Sequence, residues 1–185
     1  MIDGIAREEK AKLFPELFRV EERHPVLLCR ERKARFYGVD SEVVQDYQAS
    51  YPRRDIALEL SPEQEALPAR IDRDRIGQVL GNYLTNAIKY SPADQPVHVG
   101  LVTESSVIRV WVRDHGPGLP TEEQQRIWEQ FYRAPDIQAQ NGSGASLGLG
   151  LYICQKLIHS HQGQVGMESA PGQGATFWFT LPRLS

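Results

Sequence analysis

The sequence predicts an α+β domain, and three stretches carry that prediction. Asp72 to Ser91 (DRDRIGQVLGNYLTNAIKYS) is one amphipathic helix of about five turns, at ~3.6 residues per turn. Its Ile76, Val79, Leu80, Tyr83, Leu84, Ala87 and Ile88 fall at the i, i+3, i+4, i+7 spacing of a buried stripe. Pro96 to Glu104 (PVHVGLVTE) and Ser106 to Asp114 (SVIRVWVRD) read as two strands joined by a tight turn. Gln164 to Glu168 and Ala175 to Leu181 read as a hairpin across Pro171-Gly172, with Phe177, Phe179 and Leu181 on one side.

Bulk properties narrow the function classes. At 185 residues the chain holds one ordinary domain, or one domain with an appendage. Hydrophobic residues make up 41% and charged residues 24%, enough for a real core. The formal net charge is −3, so no global positive field is available to hold nucleic acid or an anionic membrane. The two cysteines, Cys29 and Cys154, lie far apart without metal-ligand spacing and read as reduced thiols. The longest apolar runs are a few residues, so no membrane segment is expected in this chain. The charged start, MIDGIAREEK, has no apolar core and is not expected to be a secretory signal. The expected location is the cytoplasm, with a membrane anchor expected only outside this chain.

Residues 1 to about 40 carry the least pattern. Leu13, Leu17 and Val20 hint at a helix, Arg30 to Arg35 is a basic cluster, and His24-Pro25 breaks any helix running through it. Ser41 is placed as an N-cap before Glu42, Val43, Val44 and Tyr47, in a helix ending near Tyr51-Pro52. Asp55 to Leu60 alternates as a short strand. Ser61 to Pro68 is a polar connection, and Ala69 to Ile71 a second short strand.

Asp72 then caps the long helix, and Asp74 suits the positive end of its dipole. Gly77 and Gly81 cost roughly 1 kcal/mol each relative to Ala in a helix. Their i, i+4 spacing therefore predicts a neighbouring element packed close at that face. Gln78, Asn82, Asn86 and Lys89 form a second, polar stripe. A solvated face with chance asparagines is the plain reading. The sharper one is that amide oxygens meet a hard cation and the ammonium meets a phosphate.

In the second strand, period two puts Asp114 on the same face as Ile108, Val110 and Val112. A carboxylate there is costly unless a donor meets it. His115-Gly116-Pro117-Gly118 follows as a turn that lets backbone approach closely. Thr121 to Gln130 is a short helix capped by Thr121, closed by Phe131-Tyr132-Arg133. Ala134 to Ser146 has no hydrophobic period and reads as a mobile loop and lid. Leu147 to His161 is a helix with Leu151, Cys154, Leu157 and Ile158 inward, Gly148 and Gly150 in its first turn and Gly163 as its C′ residue. His159 and His161, without a third ligand nearby, read as a solvated pair rather than a metal site.

A glycine-rich loop before a helix presents free amides and a positive dipole end to phosphate. Neither GxxxxGK[ST] nor a GxGxxG between strand and helix is present. Together, however, the pieces closely resemble the ATP-binding catalytic domain of sensor histidine kinases, within the gyrase-like ATPases. The resemblance runs from about Ser41 to Pro182. RIGQVLGNYLTNAIKYSP resembles the family's N box, VRDHGPGLP its first glycine box, IWEQFYRA its F box and SLGLGLYICQKLI its second glycine box.

What the resemblance implies is specific. The fold is a two-layer α/β sandwich of the Bergerat type, with a mixed, mostly antiparallel sheet of about five strands and three main helices on one face. Residues 41–185 are the catalytic domain, and 1–40 an appendage left from a dimerisation helix and linker. Asn86 ligates Mg²⁺, Asn82 lines the same phosphate and metal site, and Lys89 contacts phosphate. Tyr90 packs near the sugar or base, and Asp114 accepts from the adenine amino group. Gly116 and Gly118 let backbone pass close to the base, and Arg133 contacts the γ-phosphate. The run Ser146, Leu147, Gly148, Leu149, Gly150, Leu151 closes on the phosphates. Two departures are Ser146, where many members have glycine, and Gly81, usually a larger apolar residue.

Reaction class turns on Asn82. The ATP-hydrolysing relatives place a glutamate there as base for water, and the related serine kinases resemble that pattern because a hydroxyl needs a base. An amide takes no proton near neutral pH, whereas a neutral imidazole is already a nucleophile. The resemblance thus implies transfer to histidine, with Asn82, Lys89 and Arg133 positioning and neutralising charge. None of His24, His98, His115, His159 and His161 has the phosphoacceptor's sequence context. The expected partners are therefore a histidine-bearing dimerisation domain, in cis or in trans, and a response regulator. The alternatives are a nucleotide-binding regulatory module without transfer, or a serine kinase or ATPase of the same fold.

Overall fold

The computed structural model describes residues 32–36, 41–60, 67–104, 106–135 and 147–184. In chain order the elements are β1 (Arg32–Phe36), α1 (Ser41–Ser50), β2 (Ile56–Glu59), β3 (Leu67–Ile71), α2 (Arg73–Tyr90), β4 (Val97–Glu104), β5 (Val107–Arg113), α3 (Thr121–Arg126), α4 (Gly150–Ser160), β6 (Val165–Ser169) and β7 (Ala175–Pro182). Five strands form one sheet in the order β2-β4-β5-β7-β6, parallel between β2 and β4 and antiparallel elsewhere. This is the mixed, mostly antiparallel sheet of the expected two-layer α/β sandwich. Helices α1, α2 and α4 form its second layer, α2 packing on α4, β4 and β5, and α1 on α2 and β2.

The predicted stripe of α2 is its buried face, residue for residue: Ile76, Val79, Leu80, Tyr83, Leu84, Ala87 and Ile88. Asp72 caps it, accepting from Arg75 N at 3.3 Å. On the sheet, Ile108, Val110 and Val112 of β5 and Phe177, Phe179 and Leu181 of β7 face the helices and are buried. Tyr83 ties the two layers, its ring 5.5 Å from that of Phe177 and 6.1 Å from Phe179. Burying such rings is a large share of what holds the layers together.

The opposite face of the sheet carries one row across four strands. Gly100, Trp111, Trp178 and Gly166 are successive partners on β4, β5, β7 and β6. A Cβ on Gly100 would lie 2.2 Å from Trp111 Cζ2, and one on Gly166 the same distance from Trp178 Cζ2. Each indole therefore packs over a glycine on the face of the sheet opposite α1, α2 and α4.

Several expectations change. Arg32–Phe36, which takes in most of the basic cluster, forms an antiparallel pair with β3, which starts at Leu67 rather than Ala69. Thr121 is the first residue of α3; Pro120 holds the cap position and no side chain caps it. That helix stops at Arg126 instead of Gln130. At the end of α4 the left-handed residue is Gln162 (φ 59), not Gly163. Gly163 is needed for packing instead, since a Cβ there would lie 1.9 Å from Thr180 O. His161 is not solvated. It is 2% exposed, its Nδ1 bonding Leu157 O at 2.7 Å and its Nε2 accepting from Asp72 N at 3.0 Å. Those partners require the neutral ring with the proton on Nδ1, and they fasten the end of α4 to the start of α2. The hinted helix around Leu13 to Val20 and most of the expected lid lie outside the described residues.

Candidate functional site

A cavity of about 600 Å³ opens between α2, the turn after β5, the residues after α3 and the N-terminus of α4. Four polar side chains of α2 line it, Asn82, Thr85, Asn86 and Lys89, with Tyr90 at the helix end. They share a face because they stand at helical spacing opposite the buried stripe. The Asn82 Nδ2 donates to Gln78 O at 3.0 Å, which leaves its Oδ1 as an acceptor. The Lys89 Nζ stands 5.0 Å over the Tyr90 ring.

Asp114 lines the same cavity and is 5% exposed. Strand parity carries it inward at the end of β5. Two backbone amides meet it, Gly116 N at 2.7 Å and Ala175 N at 3.3 Å, and both bond Oδ1. That leaves Oδ2 as the carboxylate's acceptor for a ligand. Burial raises its pKa above the usual carboxylate value; the two amides, His115 and Arg54 act in the opposite sense. Gly116 does not line the cavity but stands behind it, where a Cβ would lie 2.9 Å from both Asp114 Oδ1 and Tyr90 O. Gly118 does line it, at φ +69.

The far wall is Tyr132, Arg133 and Ala134 together with Leu147, Gly148, Leu149, Gly150 and Leu151. These two segments are joined where they leave the expected lid, Phe131 N donating to Gly148 O at 2.9 Å. Gly148 sits at φ +67, and a Cβ on it would lie 2.7 Å from Tyr132 O. A Cβ on Gly150 would lie 2.6 Å from Asn82 Oδ1, so the first turn of α4 abuts the polar face of α2. The residue before α4, Leu149, offers no side-chain cap, and a helix N-terminus of this kind suits an anion.

The structure thus brings together Asn82, Asn86, Lys89, Tyr90, Asp114, Gly118, Arg133 and Leu147 to Leu151. Ser146 lies outside the described residues. Thr85, Pro117, Leu119, Ile127, Tyr132, Ala134, Ala175 and Phe177 also line the cavity and were not read as site residues. Thr85 was legible from the helical spacing between Asn82 and Asn86. Phe177 read as core because its alternation on the last strand is that of any buried face.

The donor set suits a hard cation completed by phosphate and water. No group of three or more His, Cys, Asp or Glu is placed to hold a metal among the described residues. The oxygens on the α2 face are those of Asn82, Thr85 and Asn86. Mg²⁺ fits this pattern, since it keeps several waters and is not caged by protein. A cavity with one buried carboxylate at one part of its lining and cationic Lys89 and Arg133 elsewhere fits a planar base with an anionic tail. No helix among the described residues is long and apolar enough to cross a membrane.

Residues 71–185 match the family described as "Histidine kinase-, DNA gyrase B-, and HSP90-like ATPase". The chain is 35% identical over 142 residues to the adaptive-response sensory kinase SasA of Synechocystis sp., an alignment covering 76% of this chain and 36% of that protein. The chain thus spans about a third of the length of the curated relatives it matches. Its fold superposes on the nucleotide-free catalytic domain of histidine kinase ThkA with a TM-score of 0.64 and 26% identity, covering 82% of this chain and 96% of that one. Full-length ShkA, solved in complex with AMPPNP, aligns at a TM-score of 0.69 and 25% identity, over 97% of this chain and 37% of that one.

Proposed function

The chain belongs to the histidine kinase-, DNA gyrase B- and HSP90-like ATPases, and from that premise we propose that it is the ATP·Mg²⁺-binding catalytic domain of a protein histidine kinase in two-component signalling. It transfers the γ-phosphoryl group to a histidine on a dimerisation domain, from which the group passes to a response regulator. Residues 41–185 form the catalytic unit, and residues 1–40 are an appendage left from a dimerisation helix and linker, of which Arg32–Phe36 pairs with β3 of that unit. The domain works in the cytoplasm, alone or as the cytoplasmic portion of a receptor.

One observation carries the choice of transfer over hydrolysis. Among the described residues lining the cavity, Asp114 is the only carboxylate, and it is buried with its Oδ1 held by two amides. Beside Asn86 stands Asn82, which takes no proton near neutral pH. Among the described lining residues none is placed as a base for water or a serine hydroxyl, and a neutral imidazole does not need one. In this reading Asp114 accepts from the adenine amino group, and Tyr90 packs against the base or sugar. Asn82 and Asn86 orient the phosphates and the metal, with Asn86 the direct metal ligand. Lys89 and Arg133 hold the phosphates by charge, and Gly148 and Gly150 let the backbone amides of the closing segment reach them. Bound Mg²⁺ would supply charge neutralisation between the phosphates.

The test is incubation with γ-labelled ATP and a separately supplied histidine-bearing dimerisation domain. Acid-labile label on that domain is the expected result. Acid-stable label would indicate a serine kinase, nucleotide binding without transfer a regulatory module, and free labelled phosphate without transfer an ATPase.

A further inference from the structure

Arg54 is a buried cation that the proposed transfer chemistry leaves unused. It lies between α1 and β2 and is 8% exposed. Its Nη1 donates to Pro92 O and its Nη2 to Ser91 Oγ, while Nε is buried without a hydrogen-bond partner among the described residues. Ser91 in turn donates from both N and Oγ to Ala87 O, at 3.1 and 2.8 Å. The guanidinium therefore closes the C-terminal end of α2, where the helix dipole favours positive charge.

Two neutral oxygens are a poor reason to bury a guanidinium, since exposed helix ends are satisfied by water. Burial disfavours the Arg54 cation, and among the described residues the charges of Asp114 and Asp94 oppose that effect. The backbone makes the link to Asp114 physical. Gly116 packs on the Tyr90 carbonyl, one residue before Ser91, and its N–H holds Asp114 Oδ1 at 2.7 Å. The turn pinned by Arg54 is thus the back of the cradle around Asp114.

We propose that Arg54 is a positioning residue for adenine recognition: it fixes the turn behind Gly116 that holds Asp114 as the acceptor for the adenine amino group, and its positive charge favours the carboxylate form of that acceptor. This rests on reading the cavity as an adenine-nucleotide site.

The chemistry sets the sign. Asp114 binds the adenine amino group as a carboxylate, so affinity falls as pH falls and the carboxylate takes a proton. Burial already raises its pKa, and Arg54 opposes that rise. Losing the positive charge moves the fall in affinity to higher pH. Among the described residues, the other charged or titratable groups with a bearing on Asp114 are His115, next in the chain, Asp94, which acts on Arg54, and Lys89, Tyr90 and Arg133 of the cavity lining.

The test is calorimetric binding of Mg²⁺·ATP, with Mg²⁺·GTP as the comparison, between about pH 5 and 8. It uses the wild type, Arg54→Met, Arg54→Gln and Arg54→Lys, each also with His115→Gln. Arg54→Met and Arg54→Gln are expected to begin losing ATP affinity at higher pH. At the acidic end they are expected to bind ATP more weakly than the wild type does. Arg54→Lys keeps the charge but not the fork, and is expected to follow the wild-type profile with a lower Tm. The shift should persist in the His115→Gln background. If Arg54→Met does not fold, Arg54→Gln, which keeps amide donors, carries the comparison. An Arg54→Gln profile lying on the wild-type curve, or an Arg54→Lys profile shifted as far as Arg54→Gln, overturns the proposal. Equal wild-type affinity for ATP and GTP overturns the adenine reading and this inference with it. ATP preference with an unmoved profile overturns this inference alone.

Discussion

Asp114 stands where strand geometry and ligand chemistry make opposite demands. Parity on β5 sends its side chain to the core side, where a carboxylate is penalised, and burial is the first cause of its raised pKa. A ligand donor repays that cost only if it meets the oxygen the backbone leaves over. Asp114→Asn keeps Oδ1 for Gly116 and Ala175 but presents an NH₂ group where the adenine amino group would donate. A hydrogen bond to a charged group contributes about 1.5–3 kcal/mol, so ATP affinity should fall roughly 10- to 100-fold at neutral pH. Calorimetry returning wild-type affinity would sink the adenine assignment. This residue was legible because alternation is local. Arg54 and His161 were not, because their partners are distant in sequence: Arg54 meets Ser91 and Pro92, and His161 meets Asp72. Nothing in a neighbouring residue announces such a pairing.

At the scale of elements, α2 organises both layers of the molecule. One face is core, another lines the cavity, and a third carries Gly77 and Gly81 against α1. There Val43 Cγ2 would lie 3.3 Å from a Cβ on Gly77, and Tyr47 Oη 3.2 Å from one on Gly81. The departure at Gly81 from a larger apolar residue thus has a physical partner. The Tyr47 hydroxyl donates to Gly81 O at 2.9 Å and lies 2.8 Å from Thr85 Oγ1. Since its one proton goes to the carbonyl, Thr85 is the donor in the second bond, and a cavity-lining hydroxyl is held from α1. Gly81→Leu gains helix propensity but drives a side chain into Tyr47. Overpacking costs about 1–3 kcal/mol, and Tm should fall on thermal unfolding; an unchanged or higher Tm would show that α1 yields freely. The close approach was legible from two glycines one turn apart. Helix ends were less so. Thr121 looked like a cap by composition, yet Pro120 holds that position, and Gln162 rather than Gly163 takes the left-handed turn. Caps depend on where the chain comes from and goes to, which local pattern does not encode. The pairing of Arg32–Phe36 with Leu67–Ile71 was hidden for the same reason.

For the whole molecule, these features set stability against binding, and pH separates the two. The folded-state pKa of Asp114 lies above its unfolded value because burial outweighs the Gly116 and Ala175 amides, His115 and Arg54, which act the other way. The native chain therefore binds more protons than the unfolded chain in the window between the two values. Above that window the ionised, buried carboxylate costs stability. As pH falls through the folded pKa the cost is relieved, and below the unfolded value of about 3.9 no further change arises from this group. Other carboxylates titrate in the same range, so the clean quantity is the difference in Tm between wild type and Asp114→Asn. Without nucleotide, Asp114→Asn should be the more stable protein at neutral pH, and its advantage should shrink on acidification. Saturating Mg²⁺·ATP stabilises only the state that binds it, by RT ln(1 + [L]/Kd), so the order should reverse at neutral pH. Thermal melts of both proteins, with and without nucleotide across this pH range, measure all three outcomes. A wild type more stable than the variant without nucleotide, or a gap that widens in acid, would mean that Asp114 is a structural carboxylate held for the fold. The predicted reversal would instead mark it as a group whose burial the rest of the core offsets so that a ligand has something to meet.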